Sequence, residues 1–150
     1  MSVILVKNPA LVRIHKTSKY SGINILLYHG YSFDYFVDKV EFLRLAGGYD
    51  KIDETMKFLL KRRHLASIYG STLALPMKID PLIIGQVPHV FATGHVHKVA
   101  VSSYKGVKLI SSSCWQGRNS FQEKVGHHPE PGKIPILNLR TGVISILDFN

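Results

Sequence analysis

The segment Phe91-Ala92-Thr93-Gly94-His95-Val96-His97 carries two imidazoles at positions i and i+2, directly behind a glycine. An apolar run, Val87 to Phe91, leads into it and a second, Val99 to Val101, leads out. In extended backbone, residues two apart share a face, so both rings are expected to point the same way. Gly94 lets the chain turn tightly beside a bound ion. Neutral imidazole is a favoured nitrogen ligand for zinc, manganese or iron. Taken alone, His-x-His also suits two surface histidines at a turn. His29 shifts the balance, because the apolar run Ile23 to Tyr28 ends on His29-Gly30 and repeats the pattern of strand, histidine and glycine. Layered α/β sheets gather ligand sites at strand ends. His29, His95 and His97 are therefore the candidate metal ligands, the later pair about 65 residues after the first. That arrangement suits a binuclear hydrolase, in which two ions clamp the attacking and leaving oxygens of a phosphodiester and activate a water. Such a site also needs carboxylates. The sequence contains no Asp-x-His, no Gly-Asp followed by another acid, and no Gly-Asn-His.

The elements that must position these side chains can be read from periodicity. Val3 to Val6 is expected as a short apolar strand, broken at Asn8-Pro9, and Leu11, Val12 and Ile14 as a second. Ile23 to Tyr28 reads as a nearly continuous apolar strand of a sheet covered on both faces. Ser32 is placed as a helix N-cap with Asp34 in the first turn, and Phe33, Phe36, Val37 and Val40 follow helical spacing up to Gly47-Gly48. Asp50 is placed as the cap of another helix, whose buried stripe is Ile52, Met56, Leu59 and Leu60. Lys61, Arg62 and Arg63 at its end suit the helix macrodipole and are also candidate phosphate contacts; His64 reads as structural. Tyr69 to Asp80 reads as loop. Tyr104-Lys105-Gly106 and Arg140-Thr141-Gly142 read as the turns of two hairpins, with flanking strands Val99–Ser103 and Val107–Ser111, then Ile134–Leu139 and Val143–Leu147. The polar stretch Gly117 to Gly132 reads as a partner-contacting loop. Its adjacent His127-His128 is a poor metal pair, because neighbouring side chains diverge.

Whole-chain quantities bound the class. At 150 residues, 45% of them hydrophobic, the sequence suits one globular domain of α/β type. There is no apolar run near the length of a spanning helix and no signal-peptide pattern, so no membrane partner is expected. The single Cys114 fits a reducing cytoplasm. A formal net charge of +9 favours a polyanionic partner, nucleic acid first, or an acidic subunit.

Leu27-Tyr28-His29-Gly30-Tyr31-Ser32-Phe33-Asp34 and Gly94-His95-Val96-His97 resemble the later motifs of calcineurin-like metallophosphoesterases. More narrowly, the chain is similar to the C-terminal part of the small subunit of archaeal family-D DNA polymerases. The supporting stretches are Asn8 to Val12, Lys61 to Gly70, and Trp115-Gln116 followed by Ser120-Phe121-Gln122. The resemblance implies a layered β-sandwich flanked by helices, and a site with two divalent metal ions, Mn2+ in the first place, with Mg2+, Fe2+ or Zn2+ as alternatives. It implies 3′-to-5′ exonuclease proofreading beside a large catalytic polymerase subunit on DNA, hence a cytoplasmic, nucleoid-associated protein. Carried over by motif, His29 and His95 would hold the second ion and His97 the first. The family's remaining ligands and its proton-donating histidine belong to motifs upstream of the position matching Met1. A companion polypeptide carrying the N-terminal half of the domain is therefore expected, whether the halves are separately encoded or one was trimmed away. Pro88-His89 stands where the family usually has Pro-Asp, and His89 is open to two readings, a surface substitution or altered metal chemistry. The resemblance leaves two other functional readings: a structural accessory subunit without activity, and a general phosphoesterase on small substrates.

Overall fold

The computed structural model describes residues 3–118, 122 and 128–150. Ser120, Phe121 and His127 lie outside these. A five-stranded mixed sheet, in the order β1-β2-β3-β5-β4, organises the chain, and a separate hairpin of β6 and β7 follows. The strands are β1 (Ala10–Ile14), β2 (Ile23–Tyr28), β3 (Val90–Thr93), β4 (Ala100–Tyr104), β5 (Val107–Ser111), β6 (Lys133–Leu137) and β7 (Ile144–Asp148). The three central strands β2, β3 and β5 run parallel, with Tyr28 opposite Thr93 and Thr93 opposite Ser111. Both edge strands, β1 and β4, are antiparallel. Parallel neighbours need crossovers, and the one from β2 to β3 carries the helices: α1 (Phe33–Lys39), α2 (Glu41–Leu45), a 3-10 turn (Gly48–Lys51) and α3 (Ile52–Arg62).

The helices bury one face of the sheet. Leu26, Tyr28, Phe91 and Leu109 meet Phe33, Phe36, Ile52, Met56 and Leu59 in a single core. Alternation along β2 shows the asymmetry. Asn24, Leu26 and Tyr28 are buried, whereas Ile23 and Ile25 are half-buried and Leu27 is 40% exposed. The expectation of a strand covered on both faces is thus corrected. Leu27 pairs with Ala10 and Ala92, and Ile25 with Val12, so the less covered face is itself apolar around them.

Local details revise the sequence reading in several places. Val3 to Val6 forms no strand and is exposed, Leu5 by 93%, because no strand among the described residues offers it hydrogen-bond partners. The first helix breaks at Val40, which is extended (φ −102°, ψ 100°), so two short helices replace one. Ser32 makes no capping bond; its hydroxyl donates to the Leu65 carbonyl and accepts from the Tyr28 phenol. Asp50 does not cap α3, whose N-cap is Lys51; its carboxylate instead meets Lys98. Gly47 and Gly48 do end the second helix, both at positive φ. The turns at Lys105-Gly106 and Thr141-Gly142 close the expected hairpins, with strand ends displaced by a residue or two.

Candidate functional site

The C-terminal ends of β2 and β3 lie side by side, and each hands the chain to a histidine. His29 follows Tyr28, and His95 follows Thr93 and Gly94. The two loops are tied together, with the Gly94 amide donating to the His29 carbonyl at 3.1 Å. Gly30, at φ +110°, makes room for the contact: a Cβ there would sit 3.1 Å from that of His95 and 3.0 Å from the Phe33 ring. Asn8 fixes His29 from the other side by accepting its amide hydrogen at 2.9 Å.

His95 and His97 do not share a face through extended backbone, as their spacing suggested. Both adopt left-handed conformations, with φ +70° and +56°. Non-glycine residues reach that region only when their surroundings hold them there. The turn brings His95 Nδ1 to 3.3 Å from His29 Nε2, with ring centroids 5.1 Å apart. Two nitrogens bound to one ion at roughly 2.0–2.1 Å would be separated by about 3–3.4 Å, depending on coordination angle. The observed gap therefore fits two ligands of a common metal ion.

The outer nitrogens are also engaged. Asp34 Oδ2 lies 2.7 Å from His95 Nε2, and the Tyr49 hydroxyl donates to Asp34 Oδ1 at 2.9 Å. The Gln122 side-chain amide meets His97 Nδ1 at 2.8 Å, and the His97 carbonyl accepts from the Glu130 amide. Burial, followed by the neighbouring charges of His95 and His97, lowers the pKa of His29 and favours the neutral ring that binds a metal. Burial and the bond to Asp34 push the Tyr49 phenol upward, so it remains a hydrogen donor. Tyr31, 56% exposed, rests on the His29 ring at a centroid distance of 4.3 Å and lies 5.8 Å from that of His95. It presents an aromatic face at the rim.

Among the described residues, no group of three or more His, Cys, Asp or Glu side chains is placed to hold a metal ion. The structure brings His29 and His95 together, while His97 is near enough for its charge to act on His29. Asp34 is directed at the far nitrogen of His95, away from the gap between the two rings.

The basic cluster lies elsewhere. Lys61 and Arg63 line a cleft of about 300 Å3 with Tyr104, Lys105 and Val107, at the start of β5 and so at the opposite end of the sheet from the histidines. Arg63 donates to the carbonyls of Ile84 and Gly85, and Arg62 lies 3.4 Å over the Phe58 ring. His64 bonds Asp80 and the Ala66 amide, as a structural residue would. His89 also sits at the remote end, where its Nδ1 accepts the Asn24 amide and links β2 to β3.

The residues that sequence reasoning missed are Asp34, Tyr49 and Gln122. Asp34 was read as a first-turn acid of a helix, a position it does occupy. The available signal was its place five residues after a strand-end histidine, on the helix that leaves the same junction.

No family model matches the chain. Curated relatives do. It is 39% identical over 150 residues to the DNA polymerase II small subunit of Methanothermobacter thermautotrophicus, covering 99% of this chain and 29% of that protein. The DNA polymerase II small subunit of Archaeoglobus fulgidus is 40% identical over 132 residues, 87% of this chain and 25% of its own length. That of Pyrococcus furiosus is 34% identical over 151 residues, 99% and 23% respectively. The chain spans about a quarter of the length of these relatives, and over nearly all of its own length it is homologous to archaeal DNA polymerase II small subunits. No helix among the described residues is long and apolar enough to cross a membrane.

Proposed function

We propose that the chain is part of the small subunit of a family-D replicative DNA polymerase and contributes to a two-metal site for 3′-to-5′ exonuclease proofreading. The observation that carries this reading is the 3.3 Å approach of His29 Nε2 and His95 Nδ1 at the ends of adjacent parallel strands. In the calcineurin-like arrangement that the motifs resemble, His29 and His95 would hold one divalent ion and His97 the other, with Mn2+ as the metal first proposed. Such ions, when bound, supply Lewis-acid stabilisation of the phosphodiester and a water of lowered pKa. This chain's residues do the rest of their share by position. Gly30 lets the loops approach, the left-handed turns aim the rings, and Tyr31 offers a stacking surface beside the scissile end, a contact that tolerates any base.

The described donor set has no carboxylate in the gap, and two ions of charge +2 held close together require anionic ligands. The N-terminal half of the domain, with the Asp-x-His, Gly-Asp and Gly-Asn-His motifs on the same or a companion polypeptide, is proposed to supply them, with the large polymerase subunit and DNA as the other partners. The half-covered apolar sheet face around Leu27, Ile25 and Val12 suits such a neighbour.

The test is reconstitution with that companion and Mn2+ on single-stranded DNA labelled at its 5′ end. The expected result is stepwise shortening from the 3′ end. His97→Ala should cut the rate at least 100-fold while the complex still assembles. Full activity in that variant, or strong activity of the purified chain alone, would overturn the proposal. The other reading that the resemblance leaves is an accessory subunit that only scaffolds. Metal analysis of the assembled complex separates the two, since a scaffold would hold no stoichiometric Mn2+.

A further inference from the structure

We propose that Asp34, itself held by Tyr49, is a positioning residue that fixes the ring proton of His95 on Nε2 and so keeps Nδ1 turned as a lone pair towards a metal ion shared with His29. The inference deepens the metal-site reading above and rests on it. A neutral imidazole carries one N–H, and its two nitrogens point away from each other. A carboxylate only accepts hydrogen bonds, so the 2.7 Å contact of Asp34 Oδ2 with Nε2 is a hydrogen bond only if the proton is on Nε2. Nδ1, 3.3 Å from His29 Nε2, is then unprotonated and available as a ligand. The other tautomer would set an Nε2 lone pair against a carboxylate oxygen and point N–H at the place of the ion. Outer carboxylates of this kind orient histidine ligands and raise their basicity.

Three separate elements converge to build the contact. Asp34 comes from the first turn of α1, Tyr49 from the 3-10 turn 15 residues later, and His95 from the loop after β3, 61 residues beyond Asp34. The Asp34 side chain is 50% exposed, and that of His95 24%. An ion pair so open to water adds roughly 0–1 kcal/mol to stability. Fold stability is thus a weak reason to commit both carboxylate oxygens, and orientation of a ligand is a sufficient one. Asp34 cannot replace His95 as a ligand of the same ion, because it occupies the opposite side of the ring.

The experiment uses the full 150-residue chain, labelled with 15N. Proton–nitrogen spectra of the imidazoles at neutral pH read the His95 tautomer directly, without any metal. A Zn2+ titration of the same labelled chain reconstituted with the N-terminal half of the domain, followed by the same signals, reads affinity. The wild-type chain should show His95 as the Nε2–H form. Asp34→Ala should give mixed tautomers and Zn2+ binding about 10–100-fold weaker, with unchanged circular dichroism. Asp34→Asn, which keeps an acceptor oxygen, should restore the tautomer and part of the affinity. Tyr49→Phe should weaken Zn2+ binding by a smaller factor. If wild type and Asp34→Ala bind Zn2+ alike with the same tautomer, the proposal fails and the metal site survives. If the wild-type tautomer depends on Asp34 but Zn2+ does not bind at the His29–His95 gap, the metal-site reading fails and takes this inference with it. Should the alanine variant not fold, the asparagine and phenylalanine variants give the same two readouts.

Discussion

At the scale of single residues, the site depends on backbone conformations that side-chain chemistry alone does not reveal. Gly30 at φ +110° is the clearest case, since an added methyl meets both a neighbouring ring and the β-carbon of His95. Gly30→Ala should therefore lower stability by about 1–3 kcal/mol and separate the two imidazoles. The check is urea unfolding together with Zn2+ affinity, and an unchanged urea midpoint would show that the loop adapts without cost. The histidines themselves were legible from the sequence because each ends an apolar run beside a glycine. Their left-handed geometry was not, since His95 and His97 owe it to contacts with residues far away in the chain. The role of Asp34 was hidden for the same reason: it was legible as a first-turn acid, but its partner lies 61 positions on.

Among the elements, α3 shows best how sequence pattern becomes packing. Ile52, Met56, Leu59 and Leu60 recur at helical spacing and are all buried. The helix ends in the left-handed Arg63. On its outer side, Lys57 bridges Asp53 and Glu54, both at 2.8 Å. Burial works to raise the pKa of Asp53, but hydrogen bonds from Lys57 and Ser102, with the charges of Lys57 and Lys51, outweigh it and leave the carboxyl below its usual range. A carboxyl lowered in the folded state adds stability above its unfolded pKa, and that stability fades as pH falls through the folded value. Asp53→Asn should thus cost about 0.5–1 kcal/mol at pH 7. The gap from wild type should close on acidification below about pH 4, as measured by thermal melts across pH. A constant gap would assign the effect to packing. Periodicity also located the sheet strands and both hairpin turns. It failed at Val3 to Val6, where an apolar run has no strand partner among the described residues, and at Val40, where an extended valine divides a helix that spacing alone would continue.

For the whole molecule, the decisive feature is a sheet dressed by helices on one side and left partly bare on the other. Leu27→Glu should leave the melting temperature within a few degrees of wild type, since the side chain is already 40% exposed. It should still weaken association with the N-terminal half of the domain, supplied as a separate polypeptide, by at least tenfold, as read by calorimetric titration. Unchanged affinity would move the contact elsewhere. This asymmetry was only half legible, because a run such as Ile23 to Tyr28 looks the same whether its second cover comes from its own chain or another. It also carries a consequence for the cell. Oily area left without cover invites aggregation and proteolysis, so whatever packs on Leu27 and Ile25 also protects the fold from both.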